Sequence, residues 1–219
     1  MEDRNILKNS KMKIFLRIFS NLALALASGL MFEYAFVPNK LFFFIFFAFV
    51  PLLFAIEKEK PLSAFFYGWL TGFVFFIFHY YWLTTIWGMK FVLILVLYIA
   101  VYYGVFALIL RMLKVNENVS LKKIFTICTI WVIGEWLRGH ILGGYSTGSL
   151  AHALFEKPLL IQISDLGGFY LVSFFVLWIN LIIYSILTNA VSIENKKRII
   201  VFSMIIFSIL SIYSVIQFR

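Results

Sequence analysis

Charge clusters cut this chain into apolar pieces, each close to the length that crosses a lipid bilayer. A spanning helix needs about 20 mostly apolar residues. Breaks at charges, Pro and Gly leave seven candidate stretches, at 12–31, 41–56, 62–83, 91–113, 121–137, 169–187 and 199–217. The second and fifth are short, which predicts tilt, re-entry or extension past these limits. With 63% hydrophobic and 13% charged residues, too little polar surface remains to coat a soluble globule. No polar block between the stretches is large enough to fold separately in water. The expected architecture is therefore a single integral membrane domain over residues 1–219, an all-α, polytopic bundle of about seven transmembrane helices.

The net charge of +9 has its simplest explanation in the same architecture, because basic residues beside apolar spans orient a membrane protein and meet anionic head groups. Nucleic-acid binding is not expected. Lys8, Lys11, Lys13 and Arg17 precede "LALALASGL", a pattern shared by signal peptides, but the spans that follow favour a retained anchor. With the N-terminus in the cytoplasm, fourteen of the 19 Lys and Arg residues fall on cytoplasmic segments. Lys40, Lys90, Arg138, Lys157 and Arg219 are the outer five. That bias predicts N-terminus inside and C-terminus outside. "EKEK" at 57–60 reads as a solvated cytoplasmic turn before Pro61.

This orientation leaves one long outer connection, 139–168, and chemistry of the chain's own is expected there. It contains Gly144-Tyr145-Ser146-Thr147-Gly148, which fits the G-x-S-x-G of a nucleophile elbow. A membrane serine hydrolase with Ser146 as nucleophile, His152 as base and Asp165 as orienter is one reading. No alternating strand precedes Gly144, so the elbow lacks its usual context. His79, His140 and His152 have no metal-ligand spacing, and neither metal nor cofactor is implied. Cys128, the only cysteine, lies in an apolar run and reads as a packing residue. Tyr80, Tyr81, Trp82 and Trp87 read as interfacial anchors. Glu135 and Arg138, at i and i+3, share a helical face where the fifth span leaves the membrane. They predict an ion pair supporting the outer loop, with Arg138 also available to a lipid phosphate or carbonyl. Gln162, Asp165 and Asn180 flank or enter the sixth span, where packing is the expected role.

Two separated stretches carry a family resemblance. The first is "FVPNKLFFFIFFAFVPLLFAI" with "FFYGWLTGFVFFIFHYYWLTTI"; the second is "WVIGEWLRGHILGG" with "EKPLLIQISDLGGFYLVSFFVLWIN". Together they resemble the N-terminal membrane region of apolipoprotein N-acyltransferases over roughly residues 20–185. The matching positions are Pro38, Pro51, Gly68, Gly72, Tyr81 and Trp82, then Trp131, Glu135, Trp136, Arg138, Gly139, Gly144, Gln162, Gly168, Ser173 and Asn180. The resemblance implies lipoprotein maturation in the bacterial inner membrane, with phospholipid as acyl donor and a lipoprotein amine as acceptor. It makes Trp82, Glu135, Arg138, Gly143, Gly144, Tyr145 and Gln162 candidates to face lipid or substrate. It also implies that the Glu/Lys/Cys chemistry resides in a nitrilase-like domain following the seventh span. No such domain is present in these 219 residues, so the expectation is a chain that is not catalytic alone. A split enzyme with a separate nitrilase-like subunit, a truncated product and a non-catalytic relative all fit. Tyr145-Ser146-Thr147 stands where the family usually has Phe-Pro-Trp, and under the resemblance Ser146 is not a nucleophile.

Overall fold

The computed structural model describes residues 2–37, 41–188 and 191–217, with side chains from Lys11 onward. Pro38, Lys40 and Arg219, and the side chains of Arg4 and Lys8, lie outside the described residues. Among the described residues all regular structure is helical. The elements are α1 (Glu2–Phe36), a 3-10 turn (Phe42–Phe46), α2 (Phe49–Ile56), α3 (Pro61–His79), a 3-10 turn (Tyr81–Leu83), α4 (Thr84–Trp87), α5 (Met89–Met112), α6 (Leu121–His140), a 3-10 turn (Leu150–Leu154), α7 (Pro158–Ile161), α8 (Ser164–Leu187) and α9 (Ile193–Gln217). Among the described residues five helices are long and apolar enough to cross a membrane: Lys11–Phe36, α3, α5, α8 and α9. The chain is a multi-pass membrane protein.

The two short stretches separate the observed five from the expected seven. Residues 121–137 extend to His140 as α6, whose 20 residues reach about 30 Å, but Lys122, Lys123, Glu135 and Arg138 interrupt its apolar surface. Residues 41–56 are a broken helix, a 3-10 turn followed by α2. A break frees backbone groups, which is tolerable at membrane depth only when protein surrounds them. Here Asn180 of α8 supplies the partners: its Oδ1 accepts from Phe49 N at 2.9 Å and its Nδ2 donates to Ile45 O at 2.9 Å. Ser28 of α1 donates to Ala48 O. The packing role expected for Asn180 is thus the repair of a broken helix at the centre of the bundle.

Close helix approach builds the rest. Gly68 and Gly72 form a G-x-x-x-G step on α3, and a Cβ at Gly68 would stand 2.4 Å from the Ala107 Cβ on α5. Phe32, Phe49, Phe75, Tyr103 and Trp131 meet around this contact, mostly edge-to-face. On the opposite end from the 141–157 connection, the "EKEK" turn is solvated as expected at Lys58 and Lys60, but not at Glu59. Glu59 is only 8% exposed; its carboxylate accepts from Arg17 Nε at 2.7 Å and Asn21 Nδ2 at 2.8 Å. Arg111 of α5 donates to its carbonyl. Glu59 thereby ties α1, through its carboxylate, and α5, through its backbone carbonyl, to the turn between α2 and α3.

Candidate functional site

The site is built where α6 ends. After His140 the chain reverses through three successive positive-φ residues, Leu142 (50°), Gly143 (93°) and Gly144 (70°). A Cβ at Gly144 would stand 2.4 Å from Gly139 O, so a side chain there is excluded by space as well as by dihedral. The reversal brings Tyr145 N to 2.8 Å from Arg138 O, satisfying a carbonyl that the helix end would otherwise orphan. From Tyr145 to Leu154 the chain then runs back against the bundle. Ser149, Leu150, Ala151, Ala153 and Leu154 are buried.

Two charges hold this segment in place. Arg138 donates from Nη1 to Thr147 O at 2.6 Å and from Nη2 to Ser149 Oγ at 3.0 Å. Its guanidinium carbon sits 5.5 Å from the centre of the Phe76 ring. Glu135 Oε1 accepts from Leu150 N at 2.9 Å. Ser149 Oγ in turn donates to Ser146 O at 2.7 Å, and Ser173 Oγ of α8 accepts from Ala151 N at 3.1 Å. Tyr80 reaches Thr147 from the end of α3. Both charged residues are only 3% exposed. The ion pair expected from their spacing does not form as a contact: among the described residues no N···O distance within 4.0 Å joins them. Each charge grips the loop instead. Their shared helical face places them side by side, and the loop's backbone, invisible to a spacing argument, takes the hydrogen bonds.

The other candidates are dispersed around this lock. Tyr145 and Gly144 are half-buried and Gly143 is exposed. Trp82 is 59% exposed on the 3-10 turn after α3, as an interfacial anchor would be. Gln162 donates to Asp165 Oδ2 at 2.8 Å before the Gly167–Gly168 kink of α8. Ser146 is exposed. His152 is half-buried with its ring 5.2 Å from that of Phe169. Among the described residues no hydrogen bond joins Ser146 to His152, or His152 to Asp165, so the geometry does not assemble a triad. Burial, reinforced by Arg138 and His79, pushes the His152 imidazole below its ordinary pKa. Sequence reasoning missed the partners Thr147, Ser149 and Phe76. It also missed Glu33, whose carboxylate lies 3.6 Å from His79 Nδ1. A carboxylate in the middle of an apolar stretch was the available signal for Glu33.

Comparison with known proteins converges on the same region. The Apolipoprotein N-acyltransferase N-terminal domain family matches residues 28–182, from within α1 to within α8, and so includes the whole Glu135/Arg138 lock. The apolipoprotein N-acyltransferase of Rhodopirellula baltica is 31% identical over 179 residues, covering 71% of this chain and 30% of that protein. Those of Geobacter metallireducens and Rickettsia prowazekii are 29% and 28% identical over 64% and 90% of this chain. The chain spans 28–40% of the length of these curated relatives. With more than half its length matched, across the bundle and the locked loop alike, the chain belongs to the Apolipoprotein N-acyltransferase N-terminal domain family.

Proposed function

We propose that these residues form the lipid- and lipoprotein-facing membrane half of an acyltransfer system. The reaction moves an acyl chain from phospholipid to the N-terminal amine of a bacterial lipoprotein. The reading counts α6 and the broken 42–56 segment as crossings, seven in all, in the cytoplasmic membrane. The N-terminus is cytoplasmic and the locked loop lies outside, as the Lys/Arg bias favours. Its chief support is the family match over the bundle, taken together with the state of the only thiol. Acyl transfer through a thioester needs an exposed thiolate with an acid/base partner in hydrogen-bond reach, and Cys128 is fully buried within α6. Cys128 is therefore not the nucleophile, and the reading takes it, as the family resemblance implies, from a nitrilase-like domain outside these residues, continuous with them or carried by a separate subunit.

The test is acylation of a diacylated lipopeptide in phospholipid vesicles, read by mass spectrometry of its N-terminus. The 219 residues alone are expected to give no transfer, and addition of the nitrilase-like partner to restore it. Robust transfer by these residues alone, abolished in Cys128→Ala or Ser146→Ala, refutes the proposal. The serine hydrolase reading predicts that a fluorophosphonate probe labels the chain and that Ser146→Ala removes the label; no labelling is expected here.

A further inference from the structure

Glu33 stands in the apolar run of α1, where a carboxylate is costly unless a partner meets it. One turn earlier, Gly29 lets α1 lie against α3: a Cβ there would stand 2.7 Å from Thr71 O, and Thr71 Oγ1 donates to Ala25 O at 3.0 Å. Continued toward the loop end of the bundle, the same approach carries Glu33 to His79, the last residue of α3. Glu33 Oε2 lies 3.6 Å from His79 Nδ1, too far for a hydrogen bond. It is a buried atom with no hydrogen-bond partner. The imidazole is confined among the rings of Phe36, Phe75 and Tyr80, at 4.9, 5.1 and 5.2 Å between centres. Two titratable groups thus stand face to face with one contact left open between them.

A single proton closes that contact. On the imidazole it makes an ion pair, and on the carboxyl it makes a neutral hydrogen bond to Nδ1. Either way the closed pair holds one proton more than a carboxylate and a neutral imidazole held apart. Histidine is the side chain suited to exchange that proton near neutral pH, and the two side chains, 19% and 23% exposed, are open enough to receive it. The other groups facing His79 are Tyr80 beside it, Tyr103 of α5 on the Phe75 and Phe76 rings, Arg138 of α6 over Phe76, and His152, which feels the His79 charge. Arg138 and a protonated His152 oppose positive charge at His79; Glu33 favours it. Tyr80 follows His79 directly, and its hydroxyl donates to Thr147 O of the locked loop at 3.3 Å. Holding the end of α3 therefore holds that loop contact.

We infer that Glu33 and His79 form a proton-operated latch between α1 and α3, closed when the pair holds a proton, which steadies Tyr80 against Thr147 and so tightens the locked loop. Because the closed pair holds the extra proton, its contribution to stability is present at low pH and is lost as pH rises. The latch needs neither acyl transfer nor a bound ligand, so its test stands apart from that of the proposed function.

The test is a double-mutant cycle on the full chain in detergent, with wild type, Glu33→Gln, His79→Gln and the double variant unfolded at pH 5.5 and at pH 8.5. The two sites should be coupled roughly fivefold in the unfolding equilibrium at pH 5.5, the upper end for a partly exposed pair, and uncoupled at pH 8.5. His152 is present in all four proteins, so its own titration cancels. Hydrogen exchange read by mass spectrometry, with each rate divided by the intrinsic rate at that pH, reports on the loop. The Tyr145 amide should be roughly threefold better protected at pH 5.5 than at pH 8.5 in the wild type, and Glu33→Gln should abolish the difference. This second measurement rests on the nearly isosteric Glu33→Gln alone if His79→Gln folds poorly. Coupling that is equal at the two pH values, or absent at both, overturns the inference, as does a pH-dependent loop protection that Glu33→Gln leaves unchanged.

Discussion

Arg138→Ala is the perturbation that tests the loop lock most directly. The change removes two charge-assisted hydrogen bonds, to Thr147 O at 2.6 Å and Ser149 Oγ at 3.0 Å, each worth about 1.5–3 kcal/mol when made to a charged group. It also leaves Glu135, 3% exposed, without the positive charge that offsets its burial, and stranding a buried charge costs about 3–5 kcal/mol. These contributions overlap, so a loss of about 4–6 kcal/mol is expected, a large share of ordinary folding stability. The assay is thermal unfolding in detergent, together with the yield of folded protein. The double variant Glu135→Gln/Arg138→Ala isolates the electrostatic part, because Gln keeps an oxygen for Leu150 N while removing the charge. It should recover at least about 2 kcal/mol relative to Arg138→Ala alone, a coupling that a double-mutant cycle measures directly. Arg138→Lys should fall between wild type and Ala, since one ammonium cannot reproduce the planar fork that holds two acceptors. Equal stability of the single and double variants would refute the reasoning, for it would mean that the two charges, which do not touch, do not act on one another either.

Cysteine accessibility tests the orientation. Ser146→Cys should react with an impermeant maleimide from the outer face of intact cells and Lys60→Cys only after lysis, with buried Cys128 contributing no background; labelling of both from one side removes the basis for placing the loop outside. Asn180→Leu strands Phe49 N and Ile45 O inside the bundle and should cost about 2–5 kcal/mol, read as lowered thermal stability, whereas a loss below about 1 kcal/mol would mean the broken helix finds other partners. For His152 the depressed imidazole sets the sign. The unfolded chain binds the proton more readily, so the contribution to stability is complete above about pH 6.5 and is lost as pH falls through that value toward the lower folded one. Thermal stability should therefore drop between pH 7.5 and 5.5, and His152→Phe, which keeps the contact with Phe169, should flatten that drop; an unchanged pH dependence in the variant assigns it elsewhere.

Composition and apolar run length determined the class of molecule by themselves, because a chain this poor in polar residues has no other solvent to fold in. The same physics located the long spans to within about six residues at either end, the largest offset being the start of α9 at Ile193 against the expected 199. It also singled out Glu135, Arg138 and Asn180, since polar groups at membrane depth are costly enough to demand a reason. What those residues do was decided only by the tertiary structure. Asn180 answers a backbone break more than 130 positions away in sequence, Glu59 became a clamp because Arg17 and Arg111 converge on it, and the expected Glu135–Arg138 pair opened to hold a loop. In each case the partner is a backbone group, or a side chain remote in sequence. Sequence pattern records side-chain type at short spacing, while hydrogen bonds to the main chain and contacts across helices exist only once the chain has folded.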